Sequence, residues 1–146
     1  VAILTKDHKP HIKEERSRIE RMGGKVITYD VPRFQGVLAI SRAIGDTYLK
    51  PFVIAYPRIL EGNLSCENDY AVLACDGVWD VLEPEDVMDI VRKEQKPQVV
   101  AEKIVKEALF SGSTDNITVI VVDLKDYTRE INREKMEILR IRENEG

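Results

Sequence analysis

The sequence predicts a fold of mixed helices and strands, and two observations carry most of that prediction. Two short apolar runs, Tyr70–Cys75 and the β-branched Ile117–Val122, have the composition of buried strands. Between them, two segments place apolar residues at the i, i+3, i+4 spacing of an amphipathic helix. The 146 residues, 43% hydrophobic and 33% charged, fit one globular domain or part of one.

One helix, short strands and a loop are predicted in the first 58 residues. Val1–Thr5 reads as a strand already under way, so we expect the sequence to begin part-way through a domain. A helix is expected from Pro10, where a missing N–H costs nothing, and Gly23-Gly24 ends it. The remaining predicted elements here are the strands Val26–Tyr29 and Gly36–Ile40 and a loop over residues 41–58.

Two helices and a charged tail are predicted between residue 84 and the end of the sequence. The helices begin near Pro84 and Pro97, and Ser111-Gly112 ends the second. From Lys125 onward the sequence alternates in charge and has opposite charges at helical spacing, such as Arg133 with Glu137. We interpret residues 125–146 as a solvated helix, with a partner-binding helix as the alternative.

Composition and charge exclude several classes of function. The net charge of −4 and the pI near 5.3 predict neither a nucleic-acid nor an anionic-membrane footprint. No apolar run approaches the roughly 20 residues that span a bilayer. Of the two cysteines, Cys75 is predicted to be a buried thiol in a strand, and the sequence gives little reason to expect a disulfide between Cys75 and Cys66. We therefore expect an intracellular, reduced protein of the cytosol or nucleus.

Two aspartates stand out because of their positions next to predicted strands. Asp76 follows the strand Tyr70–Cys75, and Asp115 lies just before the strand Ile117–Val122. If those strands are antiparallel neighbours, both carboxylates lie at the same edge of the sheet. A cation between them would relieve their mutual repulsion, and Mg²⁺ or Mn²⁺ prefers such oxygen ligands.

Turn formation explains the same aspartates at least as simply. Asp76-Gly77 after a strand is a common turn signal, and Asp115-Asn116 can form an Asx turn before a strand. Asp46 also follows a predicted strand, and it either supports a site or forms a turn. The single tryptophan, Trp79, is interpreted as a core residue. From these residues alone, turn chemistry is the simpler explanation.

Five sequence motifs follow one another in order over about residues 3 to 122. The first three lie in the N-terminal part: Leu4–Pro10 (Leu-Thr-Lys-Asp-His-Lys-Pro), Glu14–Val26 and Leu38–Asp46 (Leu-Ala-Ile-Ser-Arg-Ala-Ile-Gly-Asp). The other two contain the aspartates: Asp76–Val81 (Asp-Gly-Val-Trp-Asp-Val) and Ser113–Val119 (Ser-Thr-Asp-Asn-Ile-Thr-Val). Together, five motifs in this order are similar to those of the metal-dependent protein phosphatases of the 2C type. A run of this length and order is far more specific than any single motif.

The resemblance implies an α+β fold, part of an α-β-β-α sandwich of two antiparallel sheets flanked by helices. It also implies that Asp76 and Asp115 are metal ligands, with Asp46 as a candidate supporting residue. Two or more Mg²⁺ or Mn²⁺ ions would activate a water that attacks phosphoserine or phosphothreonine in a protein substrate. Residues 1–124 would form the C-terminal part of the phosphatase domain and would include a flap-like segment at about residues 12–36. The charged tail, residues 125–146, would follow this domain.

The family's Asp-Gly-His-Gly-Gly motif and its Gly-Asp-Ser-Arg strand are missing from these residues. None of this chain's residues therefore matches the family's catalytic acid, and we expect the chain alone to bind metal weakly and to be inactive. Half of a sandwich would expose apolar sheet faces, so self-association is also expected. The alternative function is a non-catalytic 2C-like module that binds partners.

Overall fold

The computed structural model describes residues 1–28 and 31–133, and the chain divides into two compact units. One unit comprises residues 3–61, and the other comprises residues 1–2 together with residues from 62 onward. Each unit has its own hydrophobic core. Within the described residues, no helix is both long and apolar enough to cross a lipid bilayer.

The unit of residues 3–61 contains one helix, a two-stranded hairpin and a short 3₁₀ turn. Its elements are helix α1 (Lys13–Arg21), strands β1 (Val26–Thr28) and β2 (Pro32–Phe34), and the 3₁₀ turn Thr47–Leu49. β1 and β2 are antiparallel, with Ile27 opposite Arg33. The predicted helix is confirmed, although it begins three residues after Pro10, and Gly23, with φ of +86°, follows its end. A left-handed φ of this kind favours glycine after a helix.

The core of this unit is small and centres on the second strand. Four buried residues form it: Ile19, Phe34, Leu49 and Val53. The ring of Phe34 packs at a centroid distance of 5.1 Å against Phe52, which lies in the predicted loop. That loop is confirmed over residues 41–58, and it contributes Leu49 and Val53 to the core.

Two strand predictions in this part of the chain are wrong. Residues 1–9 are neither helix nor strand, and Gly36–Ile40 forms a turn and a bend with a single bridge between Leu38 and Phe34. The strand lies earlier, at Pro32–Phe34, because Gln35 and Gly36 adopt positive φ angles and turn the chain. Apolar composition alone does not make a strand where no neighbouring strand supplies hydrogen bonds.

The second unit contains the elements that the sequence predicts most clearly. They are strand β3 (Tyr70–Ala74), the single-turn helix α2 (Asp76–Trp79), helices α3 (Pro84–Lys93) and α4 (Pro97–Phe110), and strand β4 (Val119–Asp123). β3 and β4 are antiparallel, as supposed, with Val72 opposite Val121. Residues 125–133 are helical, and the rest of the predicted tail helix lies outside the described residues.

One face of the β3–β4 sheet packs on the helices and the other face does not. The inner face places Val72 and Val121 against a buried core of six residues, which are Val78, Leu82, Val87, Val100, Ile104 and Ala108. The opposite face carries Leu73 and Ile120, which are 55% and 56% exposed, together with the exposed Val122. We call these three residues the outer sheet face. A sheet that is apolar on both faces is typical of a strand pair covered on both sides.

Trp79 and the cysteines differ in part from the expectations. Trp79 is 37% exposed rather than a core residue, because its indole N–H donates to the Ala74 carbonyl at 2.9 Å and holds the ring beside the sheet end. Cys75 is half-buried and directly follows β3, and Cys66 is exposed. Both are free thiols.

Candidate metal centre

The register of the β3–β4 sheet brings Asp76 and Asp115 to the same end of the sheet. Ala74 lies opposite Val119, and the Cys75 N–H extends the pairing by donating to the Thr118 carbonyl at 3.2 Å. Asp76 is the next residue after this pairing on one side, and Asp115 lies three residues before Thr118 on the other. The placement inferred from the sequence is therefore the placement that the structure shows.

Gly77 holds the two segments in close backbone contact. A Cβ atom at this position would overlap the backbone oxygen of Asn116, so only glycine fits without a shift of the backbone. The hydroxyl of Ser113 donates to the Gly77 carbonyl at 2.6 Å. Asp76 precedes Gly77 and Asp115 precedes Asn116, so this contact fixes the backbones that carry both carboxylates.

The carboxylates themselves face solvent and make only local hydrogen bonds. Asp76 Oδ1 accepts the Gly77 N–H at 3.0 Å, and Asp115 Oδ1 accepts the Asn116 N–H at 2.6 Å. Both residues are exposed, and within residues 1–28 and 31–133 neither is paired with a lysine or arginine. Both carboxylates are therefore accessible from solvent. The local bonds also serve a turn, so the two interpretations of these residues are compatible.

The donor set fits part of a coordination sphere for a hard cation. Carboxylate oxygens suit Mg²⁺ or Mn²⁺, which keep several waters and take few protein ligands. In the described part of the chain, no group of three or more histidine, cysteine or acidic residues could enclose an ion. Asp76 and Asp115 could therefore hold a metal only together with water and with ligands from elsewhere.

Asp46 lies in the other compact unit and has the backbone of a turn residue. Its φ of 45° and ψ of 47° are left-handed, and its carbonyl accepts the Leu49 N–H at 2.9 Å at the start of the 3₁₀ turn. Aspartate tolerates this conformation better than most residues. The structure thus shows the turn that the sequence analysis offered as one reading of Asp46, and a supporting role at a site stays a prediction.

Sequence reasoning missed a buried ion-pair cluster centred on Glu15. This carboxylate is 3% exposed and binds two arginines: Arg18 Nη2 donates to its Oε2 at 2.9 Å, and the guanidinium of Arg42 donates to its Oε1. Burial alone would raise the pKa of Glu15, but the hydrogen bonds from Arg42 and Arg18 outweigh it and lower the pKa to about 2. The i, i+3 spacing of Glu15 and Arg18 was the only local signal, and it is typical of exposed helix faces too.

The Glu15 cluster also anchors the loop of residues 41–58. Arg18 donates to the carbonyl oxygens of Phe52, at 2.5 Å, and of Ser41, at 3.1 Å. Arg42 donates to the carbonyl oxygen of Tyr56 at 2.9 Å. One buried acid therefore orients two guanidinium groups that together bind three backbone carbonyls of the loop.

The sequence matches the family described as "Protein phosphatase 2C" over residues 1–117. The chain belongs to the protein phosphatase 2C family. Because the match covers most of the chain, it confirms the resemblance that rests on the five motifs. The α+β fold class is confirmed as well, since the described residues form two small antiparallel sheets with helices, and the similar solved structures include a serine-threonine phosphatase 2C from Toxoplasma gondii. The family depends on metal ions for its activity, and metal ligands in this chain stay a proposal.

Individual relatives agree with this assignment. The chain is 45% identical over 119 residues to "Probable protein phosphatase 2C 7" of Oryza sativa subsp. japonica, an alignment covering 82% of this chain and 32% of that protein. A phosphatase from Toxoplasma gondii shares 36% identity at a TM-score of 0.69, over 81% of this chain and 40% of that one. A sex determining protein of C. elegans is similar at 29% identity and a TM-score of 0.76, over 83% and 31% of the two chains. The chain thus spans about a third of the length of the curated relatives it matches.

Proposed function

We propose that this chain supplies one part of the active site of a metal-dependent protein phosphatase that acts on phosphoserine and phosphothreonine. The observation that carries the proposal is the register of β3 and β4, which brings Asp76 and Asp115 to one end of the sheet. Family membership supports the same chemistry. In this proposal the two carboxylates bind Mg²⁺ or Mn²⁺ as part of a longer enzyme.

The chain's own residues have defined tasks in such a site. Asp76 and Asp115 would hold the metal through carboxylate oxygens, and the contact between Gly77 and Asn116 would fix the spacing of the backbones that carry them. A metal bound there supplies an activated water and neutralises charge on the phosphoryl oxygens. Hydrolysis by water requires no nucleophilic side chain, so no covalent phospho-enzyme is expected.

The isolated chain should bind metal weakly and should not turn over substrate. Two carboxylates leave a hard cation mostly hydrated. The motifs that carry the family's bridging aspartate and its histidine acid do not occur in this sequence. We therefore expect the remaining ligands and the catalytic acid to come from a part of the enzyme outside these residues.

The test is hydrolysis of p-nitrophenyl phosphate with Mn²⁺, by this chain and by a longer protein that joins it to the upstream part of a 2C domain. The longer protein should be active and the chain alone inactive. Asp76→Asn and Asp115→Asn in the longer protein should each lower kcat/KM by about 10²-fold or more, because each removes a charged metal ligand. Asp89→Asn, an exposed acid on α3, is the matched control and should retain activity.

Three other outcomes of this hydrolysis experiment would contradict parts of the proposal. Manganese-dependent turnover by the isolated chain would overturn the expectation that it is incomplete. A longer protein that is folded by circular dichroism but inactive would favour the alternative, a non-catalytic 2C-like module that binds partners. Activity that survives both Asp76→Asn and Asp115→Asn would remove these residues from the metal site.

We also propose that the isolated chain self-associates through the outer sheet face. Leu73 and Ile120 lie opposite each other in the register, so their side chains share that face. A contiguous exposed apolar patch favours association in water. A second copy of the chain is the occupant available when the chain is studied alone.

A further inference from the structure

A cavity of about 410 Å³ lies within the unit of residues 3–61. Four basic side chains contribute to its lining, and they are Lys6, His8, Arg42 and Arg58. Its size accommodates a phosphate group or the end of an acidic side chain. None of these residues belongs to the candidate metal centre.

Glu15 also lines the cavity, but its charge is already compensated. Arg42, in the lining, and Arg18, outside it, both donate to this carboxylate. With a pKa near 2, Glu15 stays ionised and paired at neutral pH. It therefore offers little repulsion to an entering anion, because two guanidinium groups surround one negative charge.

The two other acids of the lining are exposed and loosely paired. Glu14 Oε2 lies 3.6 Å from Lys6 Nζ, and Asp7 Oδ2 lies 3.5 Å from Lys9 Nζ. Exposed pairs at such distances contribute little energy and rearrange readily. Lys6 can therefore exchange Glu14 for a better-placed anion.

Arg58 supplies a positive charge with no carboxylate opposite it. It is exposed and lines the cavity, and across residues 1–28 and 31–133 it makes no hydrogen bond or ion pair. A guanidinium with all its N–H donors available is well suited to bind phosphate or carboxylate in a bidentate manner.

The pKa of His8 is sensitive to the charges that line the cavity. Burial lowers its pKa below 6.5, and the positive charges of Arg42 and Arg58 lower it further, against the opposite effect of Glu15 and Asp7. The imidazole is therefore mostly neutral at pH 7, and the 3.8 Å separation of its Nδ1 from Glu15 Oε1 is not an ion pair. His8 is thus within electrostatic reach of Arg42 and Arg58 in the cavity, and an anion bound beside it would change its pKa.

We propose that this cavity binds an oxyanion, with Arg58 and Lys6 as the binding residues and with Arg42 as a positive charge held in place by Glu15. The shared chemistry is that of a phosphate monoester or a carboxylate. The proposal does not depend on the phosphatase proposal, because anion binding is measured without turnover and without metal.

The test is an NMR titration of the histidines of the full chain, with and without inorganic phosphate at constant ionic strength. The sequence contains only His8 and His11, so two imidazole signals suffice. A bound anion beside His8 stabilises its protonated form and should raise its pKa by about 0.5 unit or more. His11 does not line the cavity and should shift much less, which makes it an internal control.

Charge-matched variants separate a site from a general salt effect. Lys6→Gln/Arg58→Gln should abolish most of the phosphate-dependent rise at His8, and both residues are exposed, so folding should persist. Lys13→Gln/Arg21→Gln changes the net charge equally on exposed residues of α1 and should leave the rise intact. Equal shifts at His8 and His11, no shift at His8, or equal loss in both double variants would each overturn the proposal.

Peptides identify the source of the oxyanion. A phosphoserine peptide, its unphosphorylated form and its glutamate form are added separately, and the His8 signal is followed. A response to the phosphorylated form alone assigns the cavity to phosphate groups, and a response to the glutamate form as well assigns it to acidic segments. A response to inorganic phosphate but to neither charged peptide assigns the cavity to small free oxyanions.

Discussion

Glycine 77 is the residue on which the candidate metal centre depends most directly. A Cβ atom at Gly77 would overlap the backbone oxygen of Asn116, and the carbonyl of Gly77 accepts the hydroxyl hydrogen bond of Ser113. A backbone atom cannot move aside as a flexible side chain can. Any side chain here must separate the two segments that carry Asp76 and Asp115.

Gly77→Ala should therefore lower the free energy of unfolding by about 1–3 kcal/mol, as expected for overpacking against a rigid atom. In an active longer protein it should also reduce hydrolysis. Gly62→Ala is the control, because a Cβ there meets nothing within 4 Å, and it should stay within about 0.5 kcal/mol of the original. Urea unfolding followed by circular dichroism measures both, and equal stability of the two variants would contradict the close contact at Gly77.

Glutamate 15 makes the stability of its unit depend on pH in the acid range. Its pKa is about 2 in the folded chain and near 4.5 when unfolded, so the unfolded state binds a proton first as the pH falls. The stabilisation is complete above about pH 5 and is lost progressively down to about pH 2. The shift corresponds to about 3 kcal/mol at neutral pH.

Glu15→Gln should flatten that pH dependence and destabilise the unit by about 3 kcal/mol or more, because it leaves Arg18 and Arg42 partly buried without their carboxylate. Unfolding curves between pH 2.5 and 7 would show the difference. Glu14→Gln, at an exposed position of the same helix, should retain the original profile. An unchanged profile in Glu15→Gln would assign the acid sensitivity to other carboxylates.

At the scale of elements, helix α3 shows how the sequence determines a boundary. Pro84 occupies the first turn, and Glu83 and Asp86 form a capping box in which the Glu83 N–H donates to Asp86 Oδ2 at 3.0 Å. These contacts satisfy backbone N–H groups that a helix start otherwise leaves unpaired. The predicted start near Pro84 is confirmed for this reason.

Asp86→Ala should lower stability by about 1 kcal/mol through loss of this cap. Glu85→Ala is the neighbouring control, because Glu85 lies in the same turn but outside the capping box. Its substitution should lower stability by only about 0.3 kcal/mol. Thermal unfolding distinguishes the two variants. Equal losses would show that helix-dipole charge, rather than capping, explains the contribution of Asp86.

The elements also show what the sequence could and could not predict. Strands β3 and β4 and helices α3 and α4 were predictable because short apolar runs and helical patterns that begin at proline are local signals. The strand at Pro32–Phe34 was not, because its identity depends on pairing with β1 and on the turn that follows at Gln35. The shared position of Asp76 and Asp115 followed only from supposing that β3 and β4 are antiparallel neighbours, and the Glu15 cluster depends on contacts with Arg42, 27 residues away.

At the scale of the whole molecule, the proposed self-association through the outer sheet face predicts how the isolated chain behaves in solution. The mean mass of the isolated chain, measured by light scattering, should rise with protein concentration above the 16.7 kDa of the monomer. Ile120→Lys should restore the monomer, since a charge on this face cannot be buried without a partner. Leu109→Lys, at an exposed apolar position of α4 outside the face, is the matched control. A monomeric original chain, or an equal effect of both variants, would exclude the outer sheet face as the contact.

Residues 55–64 form a continuous exposed stretch without helix or strand, and they span the point where one compact unit gives way to the other. A protease that reaches this stretch meets extended, solvated backbone and needs to open neither core. Arg58 offers trypsin a cleavage site there. Brief digestion should therefore divide the polypeptide into two pieces, each with its own hydrophobic cluster, and each piece could then be studied as a candidate folding unit.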